Sequence, residues 1–319
     1  MAQQQGKGAG RFAPTPSGEL HIGNLRTAML AWAAARNTGR AFLIRMEDTD
    51  RALPGAAQQQ LRDLRQLGID WDSEPLFQTT RSAAYTAAIK YLTEAGMTYE
   101  CYCSRREIQE AASAPNGAIP GEYPGTCRGL GARERAKRRS EIAAQGRAPA
   151  LRLRSQVREW GVNDRRFGVY IGRVDDMVLR RSDGVAAYNL TSVVDDAYQG
   201  ADQVVRADDL LTSAPRQSYL AHLLGLPEIS EYWHVPLVLN TGGVRLAKRD
   251  GAVTLSQLIA AGWTIPQVIA TIGESLGLSG SRGQAPENAV EFAEALAKAG
   301  GEVPPEPWVF QPPEKAVSR

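Results

Sequence analysis

Residues 10–30 read GRFAPTPSGELHIGNLRTAML, and several of them sit at spacings that suit phosphate chemistry. Pro14, Pro16 and Gly18 fix a tight loop, and His21 stands where a helix begins. A helix N-terminus carries unpaired N–H groups and the positive end of a dipole, which favours a bound anion. The loop backbone can then approach a nucleotide closely while His21 donates to a phosphate oxygen. A plain strand–helix turn capped by Ser17 is the competing explanation. A second cluster is Cys101, Cys103 and Cys127. Three cysteines so close together argue against a disulfide framework and leave a metal site or free thiols.

The elements that must carry these residues are legible from periodicity. Ile22, Leu25, Met29 and Trp32 share a helical face over 22–36, with Gly39 just beyond. AFLIRMEDTD is a short apolar run ending in acids, read as a buried strand. Helical patterns return over 57–67, stopped by Gly68, and over 82–95, stopped by Gly96. Between about 101 and 182 the pattern breaks into loop signals, a basic segment and a hairpin expected at MVLRRSDGVAAYNL around Asp183-Gly184. Alternation resumes with DQVVRADDLL, a helix over 215–224 closed by Gly225, and HVPLVLN. Strands alternating with helices imply a parallel sheet with crossover helices, here α/β in two halves separated by an insertion. The chain from 254 onward is helical and Ala-rich, then thins into a Pro-rich end.

The chain has 319 residues, 43% hydrophobic and 23% charged, enough for a sizeable core. No apolar run approaches the roughly 20 residues that span a bilayer. MAQQQGKGAG lacks the apolar stretch of a signal peptide, so a loose tail and a cytoplasmic address are expected. The net charge of +2 neither demands nor excludes a nucleic acid, but residues 128–158 are locally basic. Taken alone, such a run reads first as a solvated helix face.

Taken with three later blocks, the opening stretch resembles class I aminoacyl-tRNA synthetases of the glutamyl branch. FLIRMEDTDR is similar to the second block of that branch, YNLTSVVDDAYQGADQVVRADDLLTSAPRQSYL to the third, and VPLVLNTGGVRLAKRDGAVTL to the fourth. They occur in family order. Too little chain follows the fourth for the anticodon-binding half of a full-length member. With the cysteines, this makes the chain similar to a truncated paralogue that attaches glutamate to the queuosine base in the anticodon of tRNA(Asp). Competing readings are a truncated enzyme charging acceptor ends, a degenerate RNA-binding paralogue, and a small nucleotidylyltransferase.

The resemblance implies a Rossmann-like doubly wound sheet with a zinc-binding insertion and a small C-terminal helical part. The expected divisions are a tail at 1–9, catalytic halves at 10–100 and 183–240, and the insertion at 101–182. A lysine loop and helical region at 241–304 and a tail at 305–319 complete them. L-glutamate and ATP, which brings magnesium, are the implied small substrates, and queuosine-bearing tRNA(Asp) the acceptor. No membrane contact is implied, and a monomer is expected. Glutamate needs a cation for its side chain and an anion for its ammonium group. Arg11 and Arg206 are the candidate guanidiniums and Glu47 the candidate acid. The resemblance adds Ala13, Thr15 and Tyr188. Where full-length enzymes usually carry Asn four residues after that tyrosine, this chain has Ser192. For the nucleotide it implies Ser17, Gly18, His21, Gly23, Asn24 and Lys248, with His21 and Lys248 catalytic. The family pattern K-M-S-K-S is replaced here by Arg245, Leu246, Ala247, Lys248 and Arg249, which keeps only the second lysine. Cys101, Cys103, Tyr123 and Cys127 are the implied ligands of one structural zinc.

Overall fold

The structure, a computed structural model, describes residues 8–112, 123–246, 253–280 and 283–311. The first half contains β1 (Ala9–Phe12), α1 (Ile22–Asn37), β2 (Ala41–Met46), α2 (Ala56–Gln66), β3 (Leu76–Phe77), α3 (Ser82–Glu94) and β4 (Thr98–Cys101). The middle contains α4 (Arg105–Ala112), α5 (Ala132–Ala143), β5 (Ala150–Leu153), β6 (Glu159–Asp164), β7 (Gly168–Arg173) and β8 (Val178–Arg180). Then follow α6 (Tyr188–Gln199), β9 (Ala201–Ala207), α7 (Ser213–Leu224), β10 (Glu231–Val235) and β11 (Val238–Leu239). The last elements are α8 (Leu255–Ala260), α9 (Ile265–Glu274), α10 (Ala289–Lys298) and β12 (Trp308–Val309).

Seven strands form the main sheet in the order β3-β2-β1-β9-β10-β6-β7. Its pairings are parallel except between β6 and β7. The crossover β1–α1–β2 runs one way from β1, and β9 lies on the other side of it. Ligands of doubly wound sheets bind outside the carboxyl ends of the strands at such a reversal. Helix α1 is apolar nearly all round because it is sandwiched, packing on β1 and β9 and against α10. The close approach needs Gly10, where a Cβ would stand 2.8 Å from that of Ala35.

Three expectations meet a different arrangement. Within residues 101–182, β5 and β8 do join β4 in a separate antiparallel sheet of three strands. The β6–β7 hairpin does not; it extends the main sheet beside β10. The turn at Asp183-Gly184 is present, but its second arm is a single bridge from Ala186 to Arg180, and Tyr188 already opens α6. The Pro-rich end is not loose as far as residue 311. Trp308 and Val309 pair in parallel with Val238 and Leu239, and Phe310 is buried in the main core. Arg165 and Arg166, in the β6–β7 turn, donate to the carbonyls of Gly300 and Pro305 and pin this segment. At the other terminus, β1 begins at Ala9, and residues 1–7 lie outside the described residues. No helix among the described residues is long and apolar enough to cross a membrane.

Candidate active site and cysteine cluster

Between β1 and α1 the chain runs extended with side chains alternating inward and outward. Phe12, Pro14 and Pro16 are buried, whereas Ala13, Thr15 and Ser17 are half-buried at an open edge. The prolines anchor the loop and leave the family's expected contacts outside. Gln60 of α2 fastens it from below, donating to the carbonyls of Gly18 (2.6 Å) and Thr15 (3.1 Å). His21, not Ser17, caps α1. Its Nδ1 accepts from the backbone N–H of Gly23 (3.1 Å) and Asn24 (3.3 Å), while Asn24 Oδ1 accepts from His21 N–H. An Nδ1 that accepts places the proton of the neutral ring on Nε2. Gly23 keeps the entrance narrow, since a Cβ there would lie 3.1 Å from the His21 ring and 3.3 Å from Val238.

Arg11, Glu47 and Arg206 stand at the carboxyl ends of the neighbouring strands β1, β2 and β9. Arg11 is opposite Val204, two residues before Arg206 in register, and Glu47 N–H donates to Pro14 O at 3.0 Å. Arg11 Nε bonds Asp196 of α6 at 3.2 Å, and the same carboxylate oxygen takes Arg45 Nη1 at 2.6 Å. Arg45 in turn lies 3.5 Å from Glu47. Burial pushes the Glu47 carboxyl above its ordinary range, against the pull of Arg45 and Arg11. Burial also opposes ionisation of Asp196, yet Arg45 and Arg11 overcome it and hold that carboxyl below the usual range. The Arg206 guanidinium lies 5.6 Å from the centroid of the Tyr232 ring, whose phenol burial pushes up against the opposing pull of Arg206 and Arg11. Arg206 does not pair with Asp208 or Asp209; it bonds His234, Gln217 and the carbonyl of Leu210. Tyr188, partly exposed, is the first residue of α6, next to Asn189, which accepts from Gln217. Ser192 is buried with a hydroxyl that has no partner among the described residues.

Lys248 lies outside the described residues. The hairpin leading to it does not. Arg245 pairs with Asp209 just beyond β9, and Arg26 of α1 donates to Pro236 O at 2.8 Å beneath the Trp308 ring. Burial lowers the Arg26 guanidinium to about 10, with Asp208 opposing the shift.

Arg45, Asp196, Gln217 and His234 were missed by sequence reasoning. For three of them the signal was a polar residue inside an apolar run, Arg45 in FLIRM, Asp196 in SVVDDAY and His234 in YWHVPLV; Gln217, in APRQSYL, carried none.

The cysteine sulfurs lie within 4.8 Å of one another, and none is in a disulfide. Cys103 and Cys127 are 3.5 Å apart, and the Tyr123 hydroxyl lies 3.3 Å from Cys101 and 3.9 Å from Cys103. A tetrahedral zinc with bonds of about 2.3 Å to sulfur requires ligand–ligand edges of about 3.8 Å. The four groups therefore fit a zinc ion, which would tie β4 to the segment before α5. Helix α5 buries only Ile142 and carries five cations, Arg133, Arg135, Lys137, Arg138 and Arg139, against two acids.

The family model for class I tRNA synthetases (E and Q), catalytic domain, matches residues 9–297. The chain belongs to that family. It is thereby a ligase, and its sheet is the family's Rossmann-like one. It is 61% identical over 271 residues to the glutamyl-Q tRNA(Asp) synthetase of Nocardia farcinica, covering 85% of each chain. Identity to the protein of the same name from Symbiobacterium thermophilum is 45%, over 85% of this chain and 86% of that one. A glutamate–tRNA ligase 2 of Alkalilimnicola ehrlichii is 38% identical over 84% of this chain, which spans 58% of its length. A solved glutamate tRNA ligase from Elizabethkingia meningosepticum superposes with a TM-score of 0.77 at 22% identity, covering 97% of this chain and 68% of that one, a likeness of fold.

Proposed function

We propose that this ligase activates L-glutamate with ATP and transfers the glutamyl group to the queuosine base of tRNA(Asp). The observation that carries the proposal is the meeting of Arg11, Glu47 and Arg206 at three strand ends beside the His21-capped start of α1. The α-carboxylate of glutamate attacks the α-phosphorus, the bond to the bridging oxygen breaks, and pyrophosphate leaves. A hydroxyl of the queuosine ring then attacks the acyl carbon, releasing AMP and a proton. Neither step needs a covalent nucleophile, so catalysis is positioning and charge stabilisation. His21 Nε2–H and the loop of Ser17 and Gly18 serve the phosphates from one side, Gly23 and Asn24, whose N–H groups hold His21 Nδ1, orient that ring at the entrance, and Lys248 serves pyrophosphate from the other. Arg11 and Arg206 receive the side-chain carboxylate, Glu47 the ammonium group, and Ala13, Thr15 and Tyr188 line the remainder. Glutamine is rejected because its amide leaves a buried guanidinium without an anion. The queuosine target is supported by the 61% identity to the Nocardia farcinica protein named glutamyl-Q tRNA(Asp) synthetase. Cys101, Cys103, Tyr123 and Cys127 hold a structural zinc in this reading.

The deciding experiment measures transfer of labelled glutamate to tRNA(Asp) with a blocked 3′ end. Label is expected on queuosine-containing tRNA and not on tRNA lacking queuosine. Transfer that requires a free 3′ hydroxyl and ignores queuosine would establish acceptor-end charging instead.

The exposed cations of α5 meet tRNA phosphates in this scheme. Replacing Arg133 and Arg135 by alanine is expected to weaken tRNA binding and reduce its salt slope by about one per residue. Glutamate-dependent pyrophosphate exchange without tRNA should be unchanged. An unaltered salt slope removes α5 from the interface.

A further inference from the structure

His234 has no role so far beyond its bond to Arg206, and its surroundings are too specific for filler. It lies fully buried on β10, directly opposite Arg206 of β9. Its Nδ1 is 2.6 Å from Asp164 Oδ2, and its backbone N–H donates to the same oxygen at 3.1 Å. The other oxygen of Asp164 accepts from the N–H groups of Arg166 (2.9 Å) and Phe167 (3.1 Å). On the far side of the ring, Nε2 is 2.9 Å from Arg206 Nε.

The protonation pattern follows from donor chemistry. A guanidinium only donates, so Nε2 must be the bare, accepting nitrogen, and the ring proton sits on Nδ1 facing the carboxylate. Arg206 has five N–H donors. One goes to His234, one to Gln217 Oε1 (2.7 Å) and one to Leu210 O (3.2 Å). Gln217 is itself oriented, because its amide nitrogen donates to Asn189 Oδ1 at 3.2 Å. One N–H remains on each terminal nitrogen of Arg206, the pair that grips a carboxylate bidentately. A buried acid–imidazole pair is a poor way to stabilise a sheet, where apolar side chains of similar volume do as well or better.

We propose that Asp164 and His234 are positioning residues: Asp164 fixes the tautomer of His234, and His234 holds Arg206 by its Nε–H so that its terminal edge faces the glutamate carboxylate. The proposal rests on the reading of Arg206 as a glutamate ligand. It predicts that disturbing this chain affects recognition of glutamate and leaves recognition of ATP alone.

Two substitutions separate the ring nitrogens. His234→Asn keeps a donor near the Nδ1 position but provides nothing where Nε2 was. His234→Gln places a carbonyl near the Nε2 position and restores an acceptor for Arg206. In glutamate-dependent pyrophosphate exchange, His234→Asn should raise KM for glutamate by about tenfold or more, as loss of one charge-assisted hydrogen bond implies. Preference for glutamate over glutamine should fall with it, and KM for ATP should stay constant. His234→Gln should remain within about threefold of the parent, a partial rescue that simple loss of packing would not give. Equal effects of the two variants, or an unchanged glutamate KM in His234→Asn, overturn the proposal. If His234→Asn does not fold, Asp164→Asn carries the same expectation of a raised glutamate KM alone, and an unchanged value overturns it equally. Arg206→Met distinguishes the two levels of failure. If it leaves glutamate KM unchanged, the assignment of Arg206 is wrong. If it raises KM while His234→Asn does not, only the positioning role falls.

Discussion

Asp196→Asn is expected to lower the unfolding free energy by about 3–5 kcal/mol, the cost of leaving a buried charge without its partner. The carboxylate holds two guanidiniums at once, and Arg45 is completely buried. Asparagine keeps the shape but removes the charge, leaving Arg45 the more distant Glu47, 3.5 Å away. Urea titration should show a lower midpoint with an unchanged slope. The pH dependence has a definite sign. Burial works against ionisation of Asp196, but Arg45 and Arg11 depress its folded pKa below the unfolded value of about 3.9. Its contribution is therefore fully present above that unfolded value and is lost as pH falls through the lower folded value. The variant should lack this part of the acid transition. A variant as stable as the parent near neutral pH would show that Asp196 does not hold the two arginines.

Removing metal from the Cys101, Cys103, Tyr123 and Cys127 cluster is expected to melt the small sheet of β4, β5 and β8. Structural zinc supplies about 10 kcal/mol or more to domains of this kind. Purified protein should contain about one zinc per chain, and a chelator should produce a separate low-temperature transition. Cys127→Ser should reproduce it without chelator. The small core beneath the site consists chiefly of Tyr99, Tyr102 and Ile142 with the ligands themselves, which gives little apolar area to replace the ion. Zinc content near zero with unchanged melting would leave three free thiols instead.

The local parts of this architecture were legible because their determinants are neighbours in sequence. Helix α1 follows from its apolar spacing, α7 from a helical run closed by Gly225 in a left-handed conformation, and β2 from an apolar run that ends in acids, whereas α6 was hidden because its first residues read as a hairpin arm. What could not be read is which distant segments meet. The β6–β7 hairpin looked like part of an insertion because nothing in its own residues specifies β10 as its neighbour. The site divides the same way. Its open face, from Ala13 to Asn24 with Glu47 and Arg206, lies in recognisable motifs. Its supporting charges do not: Asp196 is 185 residues from Arg11 and 151 from Arg45, and His234 is 70 from Asp164. A lone polar residue in an apolar run signals a buried partner somewhere but cannot say which.

The pairing of Trp308 and Val309 with Val238 and Leu239 sets an order of events during translation. The ribosome makes β11 and the turn that follows it some 70 residues before the strand that flanks it. Throughout that interval β11 presents unpaired N–H and C=O groups, the kind of exposed edge to which another nascent chain can add. Only when Phe310 has emerged and entered the core is that edge covered, so the segment around β11 completes its packing among the last parts of the polypeptide.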